Sequence, residues 1–174
     1  VDFHDMSELQ DIESINKYNE LLASGKTKEQ AWQTVLCGSR DHARTPMQWT
    51  NETYAGFSEH QPWIRVGDKD SFNVDAQLEE ETSVLRAYQA LIRLRKEHPA
   101  LVYGTFEPHE AAKDDVFCYF RDDGNERFYI EINLSARAIK QPAVKGELEL
   151  VFSNYMAQGD GLQPYEANIY RVLK

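Results

Sequence analysis

Apolar positions recur at helical spacing through most of the first half of the chain. Ile12, Ile15, Tyr18, Leu21 and Leu22 fall three or four apart, which sets one stripe along a helix. Ser7-Glu8-Leu9-Gln10 ahead of them has the S-x-x-Q form of a capping box, and Gly25 stops the helix. Thr27-Lys28-Glu29-Gln30 repeats the capping pattern before Ala31, Trp32, Val35 and Leu36, and Gly38 ends that second helix. The third stripe is the clearest: Val84, Leu85, Tyr88, Leu91, Ile92 and Arg95 share a face. Arg93, Arg95 and Lys96 close it where the helix dipole favours cations, and Pro99 marks its end.

Between the second and third stripes the periodicity lapses. Residues 39–80 carry Pro46, Gly56, Pro62 and Gly67 among Trp49, Tyr54, Phe57, Trp63 and Phe72. A loop of about forty residues is functional or disordered as a rule, and this density of aromatics argues for an ordered, packed, functional one.

After Pro99 the period drops to two. Val116–Arg121 and Phe128–Leu134 flank the acidic glycine turn Asp122-Asp123-Gly124-Asn125, which predicts a β-hairpin. Glu147–Phe152 and Ala167–Leu173 predict two further strands. Helices followed by short antiparallel strands give an α+β chain whose second half is a small sandwich. The helical half is short of partners for its three stripes.

Composition narrows the chemistry. The chain has 174 residues, of which 41% are hydrophobic, enough to bury a core. A net charge of −10 argues against a nucleic-acid-binding face, which needs a basic patch. No basic amphipathic stretch and no apolar run of about 20 residues points to a membrane. Cys37 and Cys118 lie outside any metal-ligand spacing and read as two reduced, half-buried thiols, suited to a reducing compartment. None of the five histidines has a partner pattern for catalysis or a metal. No cofactor is expected.

The chemistry concentrates in Ser39-Arg40-Asp41-His42-Ala43-Arg44-Thr45-Pro46-Met47-Gln48-Trp49. Two arginines and an aspartate follow a helix end, and arginine forks onto a carboxylate or a vicinal diol. Trp49, Phe57 and Trp63 could offer flat faces to sugar rings, and with this net charge a neutral polar ligand fits best. The same residues could equally be an internal ion-pair network that pins a long loop, with both tryptophans in the core.

That string, with Ala55-Gly56-Phe57, Pro62-Trp63-Ile64, Asn73-Val74, Gln77, Leu91–Lys96, Pro99–Gly104 and Pro164-Tyr165-Glu166-Ala167, resembles the α-glucosidase branch of the α-amylase superfamily. The branch includes oligo-1,6-glucosidases, dextran glucosidases and trehalose-6-phosphate hydrolases, and the resemblance covers essentially the whole chain. It implies the last third of such an enzyme. Residues 1–100 would be the final helices and a long active-site loop of a (β/α)8 barrel, and residues 101–174 a C-terminal antiparallel β-sandwich. The implied activity of the parent is retaining hydrolysis of α-glucosidic, chiefly α-1,6, linkages at the non-reducing end of gluco-oligosaccharides in the cytoplasm. The implied motifs for the three catalytic carboxylates have no counterpart here, so no catalytic residue is named and the isolated chain is expected to be inactive.

What the resemblance carries over is substrate binding. Arg40 matches the arginine at the floor of the −1 pocket, which pairs with an aspartate and donates to the terminal glucose. Glu13, 27 positions earlier, matches a glutamate at the +1 sugar. A solvated helix residue is the plain alternative for Glu13. Arg44 and Asp41 read as loop-pinning residues. Thr50 where aspartate is common, His42 where asparagine is frequent, and Val66-Gly67-Asp68-Lys69-Asp70 in place of an Asn-Pro turn depart from the family pattern. Other readings are a stand-alone carbohydrate-binding or interaction module, or part of a trehalose-6-phosphate hydrolase or a sucrose-isomerising relative. A barrel segment parted from its N-terminal portion is expected to self-associate through residues 1–100.

Overall fold

The computed structural model describes residues 1–112, 115–156, 159 and 161–173. The chain divides into two compact units, Val1–Glu79 and Glu80–Lys174.

The first unit is built on a helical hairpin. Helix α1 spans Ile12–Ala23 and α2 spans Lys28–Gly38. The capping box at Thr27 forms as predicted: its hydroxyl accepts from Gln30 N and the Gln30 side chain accepts from Thr27 N, both at 3.2 Å. The box predicted at Ser7 does not form. Residues Met6–Glu8 make a single 3-10 turn capped by Asp5, and α1 starts four residues later than the pattern suggested. Phe3, Leu9, Val35 and Ile64 form the core of the unit, with Tyr18, Leu21, Trp32 and Leu36 packed around it.

The long loop is ordered, as its aromatics implied, and a few side chains hold it. Gln48 Nε2 donates to the carbonyls of Asp68 and Phe72, and a Cβ at Gly67 would run into the Gln48 amide. Tyr54, Ala55 and Gly56 have φ of 53°, 57° and 63°, three consecutive residues in the left-handed region. Each non-glycine residue held there costs about 1–2 kcal/mol. The turn is tied in place because Trp49 N and Thr50 N both donate to Ala55 O. A short helix α3, Val74–Glu79, closes the unit.

The second unit begins with helix α4, Val84–Glu97, whose cap Ser83 accepts from Arg86 N. Helix α5, Ala100–Tyr103, follows Pro99. One antiparallel sheet contains β1 (Thr105–Pro108), β2 (Val116–Asp122), β3 (Arg127–Asn133), β4 (Leu148–Ser153) and β5 (Ala167–Val172), in the order β1-β2-β3-β5-β4. The predicted hairpin is β2–β3, turned at Gly124 with φ 88°. The other two predicted strands are β4 and β5. Strand β1 was not foreseen: it is four residues long and ends in a proline. The described strands form this single sheet. On one face Phe128 and Ile130 pack with Ala100 and Leu101. On the other, Cys118, Tyr129 and Tyr170 form the core with Val116, Phe120 and Val172.

That second face is also polar inside. Glu131 is 0% exposed, and its Oε1 accepts from Gln141 Nε2 at 2.7 Å and from the Tyr170 hydroxyl at 3.1 Å. Burial first, and the Glu131 charge second, push the Tyr170 phenol up to about 12. Cys118 is buried and Cys37 exposed, so the two thiols are unlike rather than both half-buried. No helix among the described residues is long and apolar enough to cross a membrane.

Candidate functional site

The site is assembled where the two ends of the α1–α2 hairpin meet. Helix α2 stops at Gly38, and Arg40–Ala43 form a 3-10 turn capped by the Ser39 hydroxyl on Asp41 N. That turn buries Asp41 completely and leaves Arg40 half exposed. Asp41 Oδ2 accepts from Gln10 N at 2.6 Å and from Asp11 N at 2.8 Å, where α1 begins. A carboxylate there satisfies backbone donors and suits the positive end of the helix dipole. Arg44 Nη1 lies 3.4 Å from Asp41 Oδ1, which compensates the buried charge.

Asp11, the N-cap residue of α1, makes no side-chain hydrogen bond to the amides of its own first turn. It is 3% exposed and faces Arg40 instead. Arg40 donates from Nη2 to Asp11 Oδ1 at 2.5 Å and from Nε to Asp11 Oδ2 at 3.1 Å, a two-point grip. Hydrogen bonding from Arg40 holds the Asp11 carboxyl well below the usual aspartate range, and Asp11 in turn raises Arg40. Asp11 is thus fixed as an anion and has no proton to give near neutral pH. Nη2 of Arg40 also reaches Glu13 Oε2 at 3.3 Å. Glu13 is 75% exposed in the first turn of α1. A hollow of about 310 Å³ opens beside these residues, lined by Asp11, Glu13, Ser14 and Lys17.

The two residues singled out in the sequence, Arg40 and Glu13, therefore stand side by side. Arg40 Nη1 has no partner among the described residues, and Glu13 presents its carboxylate to solvent. A donor next to an acceptor at a half-open mouth can take both sides of a sugar diol. Two arginines face three carboxylates, Asp11, Glu13 and Asp41, so the cluster carries a net charge of −1. No group of three or more metal-ligating side chains occurs among the described residues.

Sequence reasoning did not single out Asp11, the carboxylate that Arg40 engages within this chain. It precedes a helical stripe, where an aspartate reads as a cap, and nothing local shows that its side chain meets an arginine 29 positions away. Asp41 and Arg44 pin the loop, as expected.

The description "Alpha amylase, catalytic domain" matches residues 8–104. An oligo-1,6-glucosidase of Halalkalibacterium halodurans is 34% identical over 98% of this chain and 32% of its own length. A glucan 1,6-alpha-glucosidase of Streptococcus pneumoniae is 40% identical over 76% of this chain and 25% of its own length. The crystal structure of an isomaltulose synthase from Klebsiella sp. LX3 superposes with a TM-score of 0.89 at 29% identity, covering 98% of this chain and 33% of that one. The chain spans about a third of the length of the curated relatives it matches along nearly its whole length.

Proposed function

The chain belongs to the α-amylase family, and from that premise we propose that it is the C-terminal part of a retaining α-glucosidase acting on short gluco-oligosaccharides, chiefly at α-1,6 linkages. Residues 1–100 complete its (β/α)8 barrel and residues 101–174 form its C-terminal β-domain, whose described strands lie in one antiparallel sheet where a two-layer sandwich was expected. The grip of Arg40 on Asp11, with Nη1 unengaged and Glu13 alongside, carries the reading. Its roles follow from that geometry. Arg40 donates to hydroxyls of the non-reducing glucose, and its orientation is fixed beforehand by Asp11. Preorganised donors of this kind lower the cost of ordering the ligand. Glu13 accepts from hydroxyls of the next sugar.

The names of the relatives support the linkage: oligo-1,6-glucosidases and a glucan 1,6-alpha-glucosidase match along with trehalose-6-phosphate hydrolases. The charge of the site favours a neutral glucoside over a phosphorylated one, because Arg40 and Arg44 are both committed to Asp11 and Asp41. The double-displacement chemistry needs two further carboxylates on either side of the scissile bond. Those belong to the part of the family fold outside residues 1–174, so this chain binds and orients while the rest reacts. The cytoplasm is the compartment this reading assigns, where Cys37 and Cys118 remain thiols.

The test is a transplant. Residues 1–174 replace the matching third of the H. halodurans oligo-1,6-glucosidase, and isomaltose hydrolysis is followed. The hybrid is expected to hydrolyse isomaltose, while the 174-residue chain by itself releases no glucose. A soluble hybrid that melts cooperatively yet cleaves no α-glucoside would overturn the proposal, as would glucose release that co-purifies with the isolated chain.

A further inference from the structure

The second unit encloses a polar patch that the chemistry around Arg40 does not use. Sheet register builds it. Cys118 on β2, Glu131 on β3 and Asn168 on β5 lie in one row across three strands, and Tyr129 and Tyr170 stand opposite each other in the next row. Positions two apart on a strand share a face, so these side chains point to the same side. All five are buried. That burial comes from residues of this chain alone, and further protein packed outside would not reach these atoms.

The hydrogen bonds of the patch leave three oxygens over. Glu131 Oε1 accepts from Gln141 Nε2 at 2.7 Å, from the Tyr170 hydroxyl at 3.1 Å and from Asn168 Nδ2 at 3.4 Å. All three donors are neutral. Glu131 Oε2 has no hydrogen-bond partner among the described residues. Asn168 spends its amide nitrogen between two carboxylates, Glu131 and, at 3.0 Å, Glu166, while its carbonyl Oδ1 has no donor among the described residues. The Tyr129 hydroxyl is the third such atom. Its ring runs beside that of Tyr170, 6.2 Å away and 26° from parallel, so the two phenols extend together toward the row that holds Glu131. Burial first, and the Glu131 charge second, push the Tyr129 phenol up, which fits a hydroxyl that faces the carboxylate.

Buried polar atoms without partners in a folded protein call for a water or an ion. Water would serve the lone pairs but leave the charge on Glu131 uncompensated, and a buried carboxylate without a cation is costly. The three oxygens are a carboxylate, an amide carbonyl and a phenol. Oxygen sets suit hard cations, whereas groupings of His, Cys, Asp and Glu that would hold a transition metal do not occur among the described residues. One carboxylate supplies the unengaged oxygen, so a single positive charge complements it. We propose that Glu131 Oε2, Asn168 Oδ1 and the Tyr129 hydroxyl hold a small monovalent cation, of the size of sodium, inside the second unit. The ion ties β3 to β5. Through Gln141, on the other oxygen of Glu131, it also steadies the segment between β3 and β4. No residue of the Arg40 cluster takes part, so the site stands apart from the α-glucosidase reading.

The test unfolds the 174-residue chain in urea, at fixed pH and ionic strength, in sodium, potassium or choline chloride. Circular dichroism follows the sheet, and sodium NMR relaxation reports binding directly. A ligand held only by the folded chain stabilises it by mass action. The urea midpoint should therefore rise with the logarithm of sodium concentration and stay level in choline, which is too large to enter. Glu131→Gln, of the same shape without the charge, should abolish the sodium dependence. Tyr129→Phe, which deletes only a hydroxyl, should weaken the apparent sodium affinity about tenfold, the scale of one contact to a charged group. Should Glu131→Gln fail to fold, Tyr129→Phe decides the matter by itself. Equal midpoints in sodium and choline overturn the proposal and leave water at Glu131. A sodium dependence that survives in the folded variants also overturns it, since the ion then lies elsewhere. Stabilisation by calcium where sodium has no effect overturns the monovalent assignment.

Discussion

Arg40 and Asp11 sit at opposite ends of one helical hairpin and are joined by two hydrogen bonds, Nη2 to Oδ1 and Nε to Oδ2. A lysine has the charge but not the fork. In the hybrid enzyme, Arg40→Lys should therefore lower kcat/KM for isomaltose by about 10- to 100-fold, the range for losing one or two hydrogen bonds to a charged group. Steady-state kinetics on isomaltose checks this, and a fall confined to KM would show that Arg40 holds the ground state and the transition state equally.

The same pair contributes to the acid limb of stability. Arg40 depresses the folded carboxyl of Asp11, so the unfolded chain binds the proton first as pH falls. The contribution is complete above the ordinary aspartate value, about 3.9, and is lost as pH falls from there through the depressed folded value. Asp11→Asn should flatten that part of a melting-temperature profile between pH 5 and the acid limit. The alkaline limb belongs to the sheet. The Tyr170 phenol is raised to about 12, so its contribution is complete below the unfolded value, about 10, and is lost as pH climbs from 10 to 12. Phenolate absorbance should rise together with loss of the sheet's circular dichroism signal.

Asp41 carries more of the architecture than of the binding. It is fully buried, and both its oxygens are engaged, by two backbone N–H groups and by Arg44. Asp41→Ala leaves the two backbone donors without their acceptor and Arg44 with Asp11 alone. Denaturant unfolding followed by Trp32 or Trp49 fluorescence should record a loss of about 2 kcal/mol, within the range for leaving buried donors unsatisfied.

Much of this was legible in the sequence where local rules decide the outcome. The stripe from Ile12, the box at Thr27, the glycine stops and the hairpin around Gly124 follow from spacing and turn chemistry alone. Strand β1 was missed because four residues ending in Pro108 carry too little alternation to register. The box at Ser7 failed because Asp5, an equally good acceptor, lies two residues upstream and bonds Ser7 instead. The alternation of Phe128–Leu134 gives no sign that Glu131 is buried, since its partners Gln141 and Tyr170 are 10 and 39 positions away. Arg40 and Glu13 were identified through the family motif, and their direct contact, with Asp11 on the same guanidinium, emerges only when the hairpin closes.

Gly104 joins helix α5 to strand β1 at a point with no room for a side chain. A Cβ there would come within 2.4 Å of the Ala100 carbonyl and 2.9 Å of the Asp122 backbone. Neither neighbour can rotate away. Gly104→Ala should destabilise the second unit by about 2 kcal/mol, within the range for overpacking, with little effect on the first. Hydrogen exchange resolved by unit would separate the two.

Helix α4 presents Val84, Tyr88 and Ile92 to solvent at 68%, 65% and 51% exposure, one turn apart on one face. Self-association of the 174-residue chain is expected through this stripe as well as through the aromatic loop. Tyr88→Glu combined with Ile92→Lys should shift the sedimentation profile towards monomer. An unchanged profile would place the contact elsewhere.

The ends of the sheet decide what kind of assembly that would be. Its two outer strands are β1, which finishes in Pro108, and β4, whose pairing is interrupted by a bulge between Leu150 and Phe152. A proline offers no N–H to an incoming strand, and a bulge twists the rim away from a regular ladder. Neither border is a template on which another copy could continue the hydrogen-bond pattern. Clusters of this chain would then form by side-chain contact alone and dissolve on dilution, without growing into fibrils.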